Sequence, residues 1–189
     1  AGGYPIVIFG HGLGGSSRDV VGVSRLFGDE PLMGIGISAL QHGRRGNVGQ
    51  FFNLVDGFAT REHFRQTAVD LMQLALMIRN ADAAPFDLVD KERVHYFGIS
   101  LGGMIAIRIA TLFPARVHRL VLVATTPRFV KHRSWPHAME PATLAGFAQH
   151  LAKDWRGTVQ DFLGLQVRVK ENWDKDAAFM RSLGYFHEK

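Results

Sequence analysis

The sequence predicts a protein of the α/β class, with a mostly parallel sheet, helices on both of its faces, and a helical cap after residue 126. Four short apolar segments bounded by turn residues lack the alternation of half-exposed strands, as strands covered on both faces do. Patterns with apolar residues three and four positions apart lie between them. Strands that alternate with helices in this way are joined by right-handed crossovers, which makes the sheet parallel.

The elements follow one another in a regular order. The predicted strands are residues 6–9, 35–40, 94–97 and 120–123. Residues 64–78 form a predicted amphipathic helix with Thr60 as its N-cap. Residues 101–113 form another, apolar almost all round and ended by Pro114. We expect an α/β core over residues 1–126, and a cap and tail over 127–189 with helices near 144–151 and 158–169.

Composition excludes several classes of function. The chain of 189 residues has no cysteine, so it forms no disulfide and uses no thiolate nucleophile. Its net charge is +5, but the basic residues are scattered, and we expect no nucleic-acid partner. No apolar run approaches the roughly 18 residues that cross a bilayer, so we expect no stable membrane insertion and a cytoplasmic location. The chain enters a buried-strand pattern at residue 6, and no strand-like segment follows the predicted cap, so we expect it to be truncated at both ends.

A serine stands between glycines at residues 98–102, GISLG. Ser100 lies directly between a predicted strand and a predicted helix, which is the context of a nucleophile elbow. In such a turn the flanking glycines permit a strained backbone that exposes the hydroxyl group above the sheet. The N–H of Leu101 then lies at a helix N-terminus, where negative charge is stabilised. Alone, the motif is also compatible with an ordinary glycine turn.

A glycine-rich loop at residues 11–15, HGLGG, follows the first predicted strand. In an oxyanion hole the second donor comes from a loop after an earlier strand, so we predict that the N–H of Leu13 complements that of Leu101. Gly12 lets the backbone approach the substrate. The two motifs occur in the right order and each follows a strand, which makes Ser100 a predicted nucleophile.

These residues carry a resemblance to the α/β-hydrolase superfamily over residues 1–126. Residues 50–66 resemble bacterial lipase-type esterases. A second resemblance, to the pimeloyl-[acyl-carrier protein] methyl ester esterases, lies at residues 100–114, 135–136, 144–147 and 162–166. The second resemblance implies that Leu13, Ser100 and Leu101 form the nucleophile and oxyanion site. It also implies a substrate pocket whose residues are Phe162, Leu163, Leu165 and Gln166.

The base and acid that activate a serine are not evident in the sequence. In this fold the chain order is serine, acid, histidine, which permits Asp174 or Asp176 with His187 as the base. We expect His42 to be a loop residue rather than a base. No histidine pair shows metal-ligand spacing and the glycine loop lacks the full dinucleotide fingerprint, so we expect no metal and no cofactor.

The sequence thus predicts a serine carboxylic-ester hydrolase that works through an acyl-enzyme. The aromatic-rich cap favours a medium-chain or otherwise apolar ester, and the resemblance adds a small-molecule ester that is delivered on an acyl carrier. Two alternatives stay open: a non-catalytic binding module of the same fold, and an acyltransferase that uses the same nucleophile. The sequence leaves the oligomeric state open.

Overall fold

The computed structural model describes residues 3–25, 28–53, 56–117 and 119–166. Within these ranges, strands and helices alternate as predicted. The strands are β1 (Tyr4–Gly10), β2 (Met33–Gly36), β3 (Val89–Ile99) and β4 (Leu120–Val123). The helices are α1 (Asp19–Ser24), α2 (Gly57–Asn80), α3 (Leu101–Leu112), α4 (Pro141–Lys153) and α5 (Trp155–Gln166), with short 3₁₀ turns at Gly43–Arg45, Val48–Gln50, Phe86–Leu88 and Pro114–Arg116.

The four strands form one parallel sheet in the order β2-β1-β3-β4. Ile8 on β1 pairs with Ile35 on β2 and with Tyr96 on β3. On the other side of β3, Ile99 pairs with Val123 on β4. All carboxyl ends therefore lie at one edge of the sheet, where open α/β proteins place their sites. The loops after β1 and β3 meet there because these two strands are neighbours.

Helices cover both faces of the sheet, as the continuous apolar strands predict. On one face Ile6 and Ile8 of β1 pack with α2 and α3 in the main core cluster. On the other face Phe9 packs against Val23 of α1 in a second cluster. The members of the main cluster contributed by α2 and α3 are Leu71, Leu74, Ile78, Leu101, Ile105, Ala106 and Ile109. Burial on both faces holds the carboxyl edge of the sheet in a fixed position.

Several predicted boundaries are wrong: β3, for example, begins at Val89 rather than at residue 94. For two others the structure shows the reason. Strand β2 lies earlier than residues 35–40, because the chain leaves the ladder after Gly36 and side chains satisfy its backbone instead. The N–H of Leu40, for example, donates to the Thr67 hydroxyl at 3.1 Å. Helix α2 begins at Gly57 with Asp56 as its N-cap, not at Thr60. The Thr60 hydroxyl holds the preceding loop, accepting from the N–H of Asn53 at 2.7 Å.

The segment after β4 is irregular and then helical, as predicted for a cap. Two isolated bridges, a parallel one between Val130 and Met139 and an antiparallel one between His132 and Trp135, close the loop that precedes α4. Helices α4 and α5 pack through Phe147 and Phe162, whose ring centroids are 5.7 Å apart. None of the described helices is long and apolar enough to cross a membrane.

Candidate active site

Ser100 occupies a strained turn between β3 and α3. Its backbone has φ 51° and ψ −112°, a conformation that residues with a Cβ rarely adopt. Such a residue costs of the order of 1–3 kcal/mol and persists only where its surroundings hold it. The predicted strand-turn-helix context of Ser100 is thus present, with the serine at the carboxyl edge of the sheet.

Hydrogen bonds on both sides hold this turn. The N–H of Ser100 donates to the Val123 carbonyl at 2.9 Å, which extends the pairing with β4. The carbonyl of Ser100 accepts from the N–H of Met104 at 3.1 Å and from the Thr125 hydroxyl at 3.3 Å. Gly102 packs so closely on β1 that a Cβ there would overlap the Gly10 carbonyl. The backbone, rather than side-chain packing, thus determines where the serine lies.

The loop after β1 comes directly beside Ser100. A Cβ on Gly12 would lie 3.5 Å from the Ser100 Cβ, and the N–H of Gly102 donates to the His11 carbonyl at 3.0 Å. Among the described residues, no carbonyl accepts a hydrogen bond from the N–H of Leu13 or of Leu101. Leu101 is the first residue of α3, where N–H groups have no partner within the helix. The structure therefore brings Gly12, Leu13, Ser100 and Leu101 together.

His11 braces this loop, a role that sequence reasoning missed. Its ring is buried, and Nε2 accepts from the N–H of Ala39 at 2.8 Å. Nδ1 must then carry the proton, and it donates to the Gly12 carbonyl at 2.7 Å. Burial lowers the pKa of His11, an effect that the bond to Gly12 partly offsets. The neutral ring thus links the glycine loop to the loop after β2.

A cavity of about 220 Å³ opens at Ser100, and its lining is almost wholly apolar. One side, here called the core wall, consists of Leu13, Ser100 and Leu101. The opposite side, the cap wall, consists of Phe129, Met139, Leu144, Phe147 and Phe162. Phe52 and Thr143 complete the lining. Phe162, which the resemblance assigns to a substrate pocket, is part of this lining. Phe52, Met139 and Thr143 were not predicted, because the lining combines core and cap residues that lie far apart in the sequence.

His42 is a buried loop residue. The pKa of His42 is lowered to about 4, mainly by burial and to a smaller extent by the neighbouring His11. Its Nδ1 donates to the Leu40 carbonyl at 2.9 Å, and its ring packs edge-on against Phe51 at 4.9 Å. Among the described residues Nε2 has no hydrogen-bond partner. A neutral ring enclosed in this way is a structural element of the loop.

Several predicted site residues fall outside what the structure describes. Helix α5 includes Leu163, Leu165 and Gln166, but their side chains are not among those described, and His187 lies beyond residue 166. Within the described residues, no histidine lines the cavity at Ser100. The same residues contain no group of three or more potential metal ligands.

Known proteins match both the sequence and the fold. A pimeloyl-[acyl-carrier protein] methyl ester esterase of Yersinia enterocolitica is 31% identical over 158 residues, which cover 79% of this chain and 59% of that protein. One from Nitrosomonas europaea is 48% identical over 84 residues, which cover 44% of this chain and 33% of that protein. The chain thus spans less than two thirds of these curated relatives.

Solved structures agree in fold. An esterase from Exiguobacterium antarcticum has a TM-score of 0.63 at 14% identity, covering 100% of this chain and 68% of that one. A hydrolase from Oleispira antarctica has a TM-score of 0.62 at 16% identity, covering 99% of this chain and 62% of that one. The profile of the alpha/beta hydrolase fold family matches residues 77–181, more than half of the sequence. The chain therefore belongs to the alpha/beta hydrolase fold family.

Proposed function

We propose that this protein is a serine carboxylic-ester hydrolase whose nucleophile is Ser100. The observation that carries the proposal is the strained Ser100 backbone, φ 51°, beside two N–H groups that have no carbonyl partner among the described residues. Strain of this kind is retained at functional sites. The relatives named above are esterases, which supports the same reaction class.

The reaction divides into two steps. Ser100 Oγ attacks the ester carbonyl carbon while its proton passes to a base, and the N–H groups of Leu13 and Leu101 stabilise the oxyanion. The alcohol leaves with that proton, and water then releases the acid from the acyl-enzyme. Each oxyanion donor contributes about 10²–10³ in turnover. We retain His187 as the base of this proposal, with the acid on the same segment.

The cavity supports an apolar acyl group of medium length as the substrate. Its lining offers hydrocarbon and aromatic surface and almost no polar surface. Its volume of about 220 Å³ exceeds the roughly 150 Å³ of an apolar protein cavity that admits benzene. The names of the relatives specify a methyl ester on an acyl-carrier protein. We propose that the substrate of this protein is likewise an acyl ester delivered on a carrier, and that the protein acts in the cytoplasm.

The proposal is tested with methyl esters from acetate to laurate. We expect kcat/KM to rise with chain length, because each buried methylene contributes about 0.8 kcal/mol, and to fall once the acyl chain exceeds the cavity. The Ser100→Ala variant should hydrolyse none of them. An optimum at acetate would contradict the apolar acyl pocket.

Product analysis separates hydrolysis from the alternatives. Free acid as the product supports hydrolysis, and an acyl group found on an added alcohol or thiol would indicate a transferase. Saturable binding of the laurate ester without any product would indicate a binding module.

A further inference from the structure

The two N–H groups proposed to hold the oxyanion each belong to a peptide unit with a carbonyl at its other end. The N–H of Leu101 shares a planar unit with the carbonyl of Ser100, and the N–H of Leu13 shares one with the carbonyl of Gly12. In a trans unit the N–H and the C=O point in opposite directions, so a group that holds the carbonyl also sets the direction of the N–H. The partners of these two carbonyls therefore determine where the oxyanion donors point.

The two carbonyls have matching sets of partners. Each accepts one backbone hydrogen bond of 3.1 Å from a residue in its own turn. Each also accepts from one side chain. His11 Nδ1 lies 2.7 Å from the carbonyl oxygen of Gly12, and Thr125 Oγ1 lies 3.3 Å from that of Ser100. Two separate loops thus hold their peptide units in the same way.

Thr125 reaches the elbow from the end of β4. Ala124, directly before it, has φ 48°, a left-handed conformation that turns the chain after the last residue of the strand. The Thr125 hydroxyl packs on the first turn of α3, where a Cβ on Gly103 would overlap Oγ1. Gly103 thereby leaves the space that the hydroxyl occupies. Thr125 is not among the described residues that line the cavity at Ser100, so it acts on the reaction only through the backbone.

The hydrogen of the Thr125 hydroxyl is shared between two acceptors. Oγ1 lies 3.0 Å from the carbonyl oxygen of Val123 as well as 3.3 Å from that of Ser100, and one hydroxyl carries one hydrogen. When the N–H of Leu101 donates to an oxyanion, its peptide unit is polarised and the Ser100 carbonyl becomes a stronger acceptor. The hydrogen then moves towards Ser100, which strengthens the donor while negative charge is present. Such a contribution belongs to the transition state, and hence to kcat rather than to KM.

We infer that Thr125 is a positioning residue of the oxyanion site, whose hydroxyl orients and polarises the peptide unit between Ser100 and Leu101. It is the counterpart of the neutral His11 ring, which holds the donor of the other loop. The inference rests on the proposed ester hydrolysis at Ser100 for its catalytic consequence, and on the hydrogen bonds of Thr125 for the direction of the N–H. It adds to the reaction a residue that neither glycine motif contains.

The neighbouring threonine provides a matched control. Thr126 is half-buried like Thr125, and its hydroxyl donates at 2.8 Å to the carbonyl of Arg128, which belongs to neither oxyanion donor. Thr125→Val should lower kcat on a methyl ester by roughly two- to tenfold, the worth of one net hydrogen bond, and leave KM within about twofold of native. Thr125→Ser keeps the hydroxyl and should keep kcat, and Thr126→Val should not change it. Thr125→Ala removes the same donor and serves as a second variant.

Stability is measured on the same proteins, so that a loss of kcat is not mistaken for a loss of fold. Each valine variant removes one hydroxyl that donates to a backbone carbonyl, so urea denaturation should give similar losses for Thr125→Val and Thr126→Val. Only the first should lose kcat. An unchanged kcat in Thr125→Val, or an equal fall of kcat in Thr126→Val, would overturn the inference.

A spectroscopic measurement makes the test independent of catalysis. In ¹H–¹⁵N spectra of the native chain, the amide signal of Leu101 should shift on Thr125→Val and stay in place on Thr126→Val, because the carbonyl oxygen and the nitrogen share one conjugated unit. A Leu101 signal that does not move in Thr125→Val would overturn the inference. If the native chain hydrolyses no ester while the signal shifts as expected, the proposed function fails and the held peptide unit stands.

Discussion

The two walls of the cavity at Ser100 are built in different ways. The core wall is positioned by backbone hydrogen bonds and by the close contact of Gly102 with β1. The cap wall is positioned by side-chain packing, such as that between Phe147 and Phe162. Backbone geometry tolerates almost no change, whereas apolar packing accepts substitutions of similar volume. Under the proposed function, we therefore expect the core wall to determine the reaction and the cap wall to determine the size of the acyl group.

The same substitution in the two regions should have opposite effects on stability. Gly102→Ala places a Cβ into the Gly10 carbonyl, so we expect the free energy of unfolding to fall by more than about 3 kcal/mol. Gly146→Ala, within α4, meets no atom within 4 Å and should raise it by about 0.5–1 kcal/mol. Urea denaturation measures both. A stable Gly102→Ala protein would contradict the rigid core wall.

Acidification should lower the free energy of unfolding through His42, which is buried in the loop after β2. Folding lowers the pKa of His42 from 6.5 to about 4, so the unfolded chain binds a proton between these values that the folded chain does not. Stability is therefore fully present above about pH 6.5 and is lost as the pH falls towards 4, by about 3 kcal/mol for this residue. Urea denaturation at several pH values should show a smaller loss for His42→Asn than for the native chain. Equal losses in both would show that His42 does not couple folding to pH.

Changes in the cap wall should alter selectivity and leave the chemistry intact. Phe147→Leu enlarges the cavity, and we expect the preferred acyl chain to become longer, with about a tenfold change in relative kcat/KM. The rate of fluorophosphonate labelling at Ser100 should stay within about threefold of the native rate, because the probe's small phosphonyl group does not need the cap wall. An unchanged chain-length profile would argue against Phe147 as a determinant of selectivity.

The smallest expected effect isolates the strain at Ser100. Ser100→Gly relieves the positive φ, and we expect the free energy of unfolding to rise by about 1 kcal/mol. Ser100→Ala keeps a Cβ and thus the strain, so its stability should stay close to that of the native chain. Thermal unfolding of both variants makes the comparison, and a Gly variant no more stable than the Ala variant would contradict a strained elbow.

Local patterns predicted much of this architecture. The apolar segments predicted β4 to the residue and β1 to within two residues, and the glycines predicted the turn at Ser100. The end of β2 was mispredicted because the hydroxyl of Thr67, 27 residues away in sequence, accepts from the N–H of Leu40. The start of α2 was mispredicted because Asp56 caps the helix, its carboxylate accepting from the N–H groups of Phe58 and Ala59. Periodicity contains no information about such bonds.

The site was predictable only where it depends on short motifs. Gly12, Leu13, Ser100 and Leu101 lie within two such motifs, so neighbouring strands bring them together. The brace by His11 depends on Ala39, and the cavity that Phe52 lines depends on the cap. These are long-range contacts, which no local pattern in the sequence reveals.

Labelling with a fluorophosphonate tests the central claim, that Ser100 is an activated nucleophile, most directly. The folded chain is incubated with the probe beside Ser100→Ala, and the intact mass of each is measured. The account predicts one adduct, formed as Oγ displaces fluoride at phosphorus, on the native chain and none on the variant. A folded native chain that stays unlabelled, or equal labelling of both proteins, would contradict it.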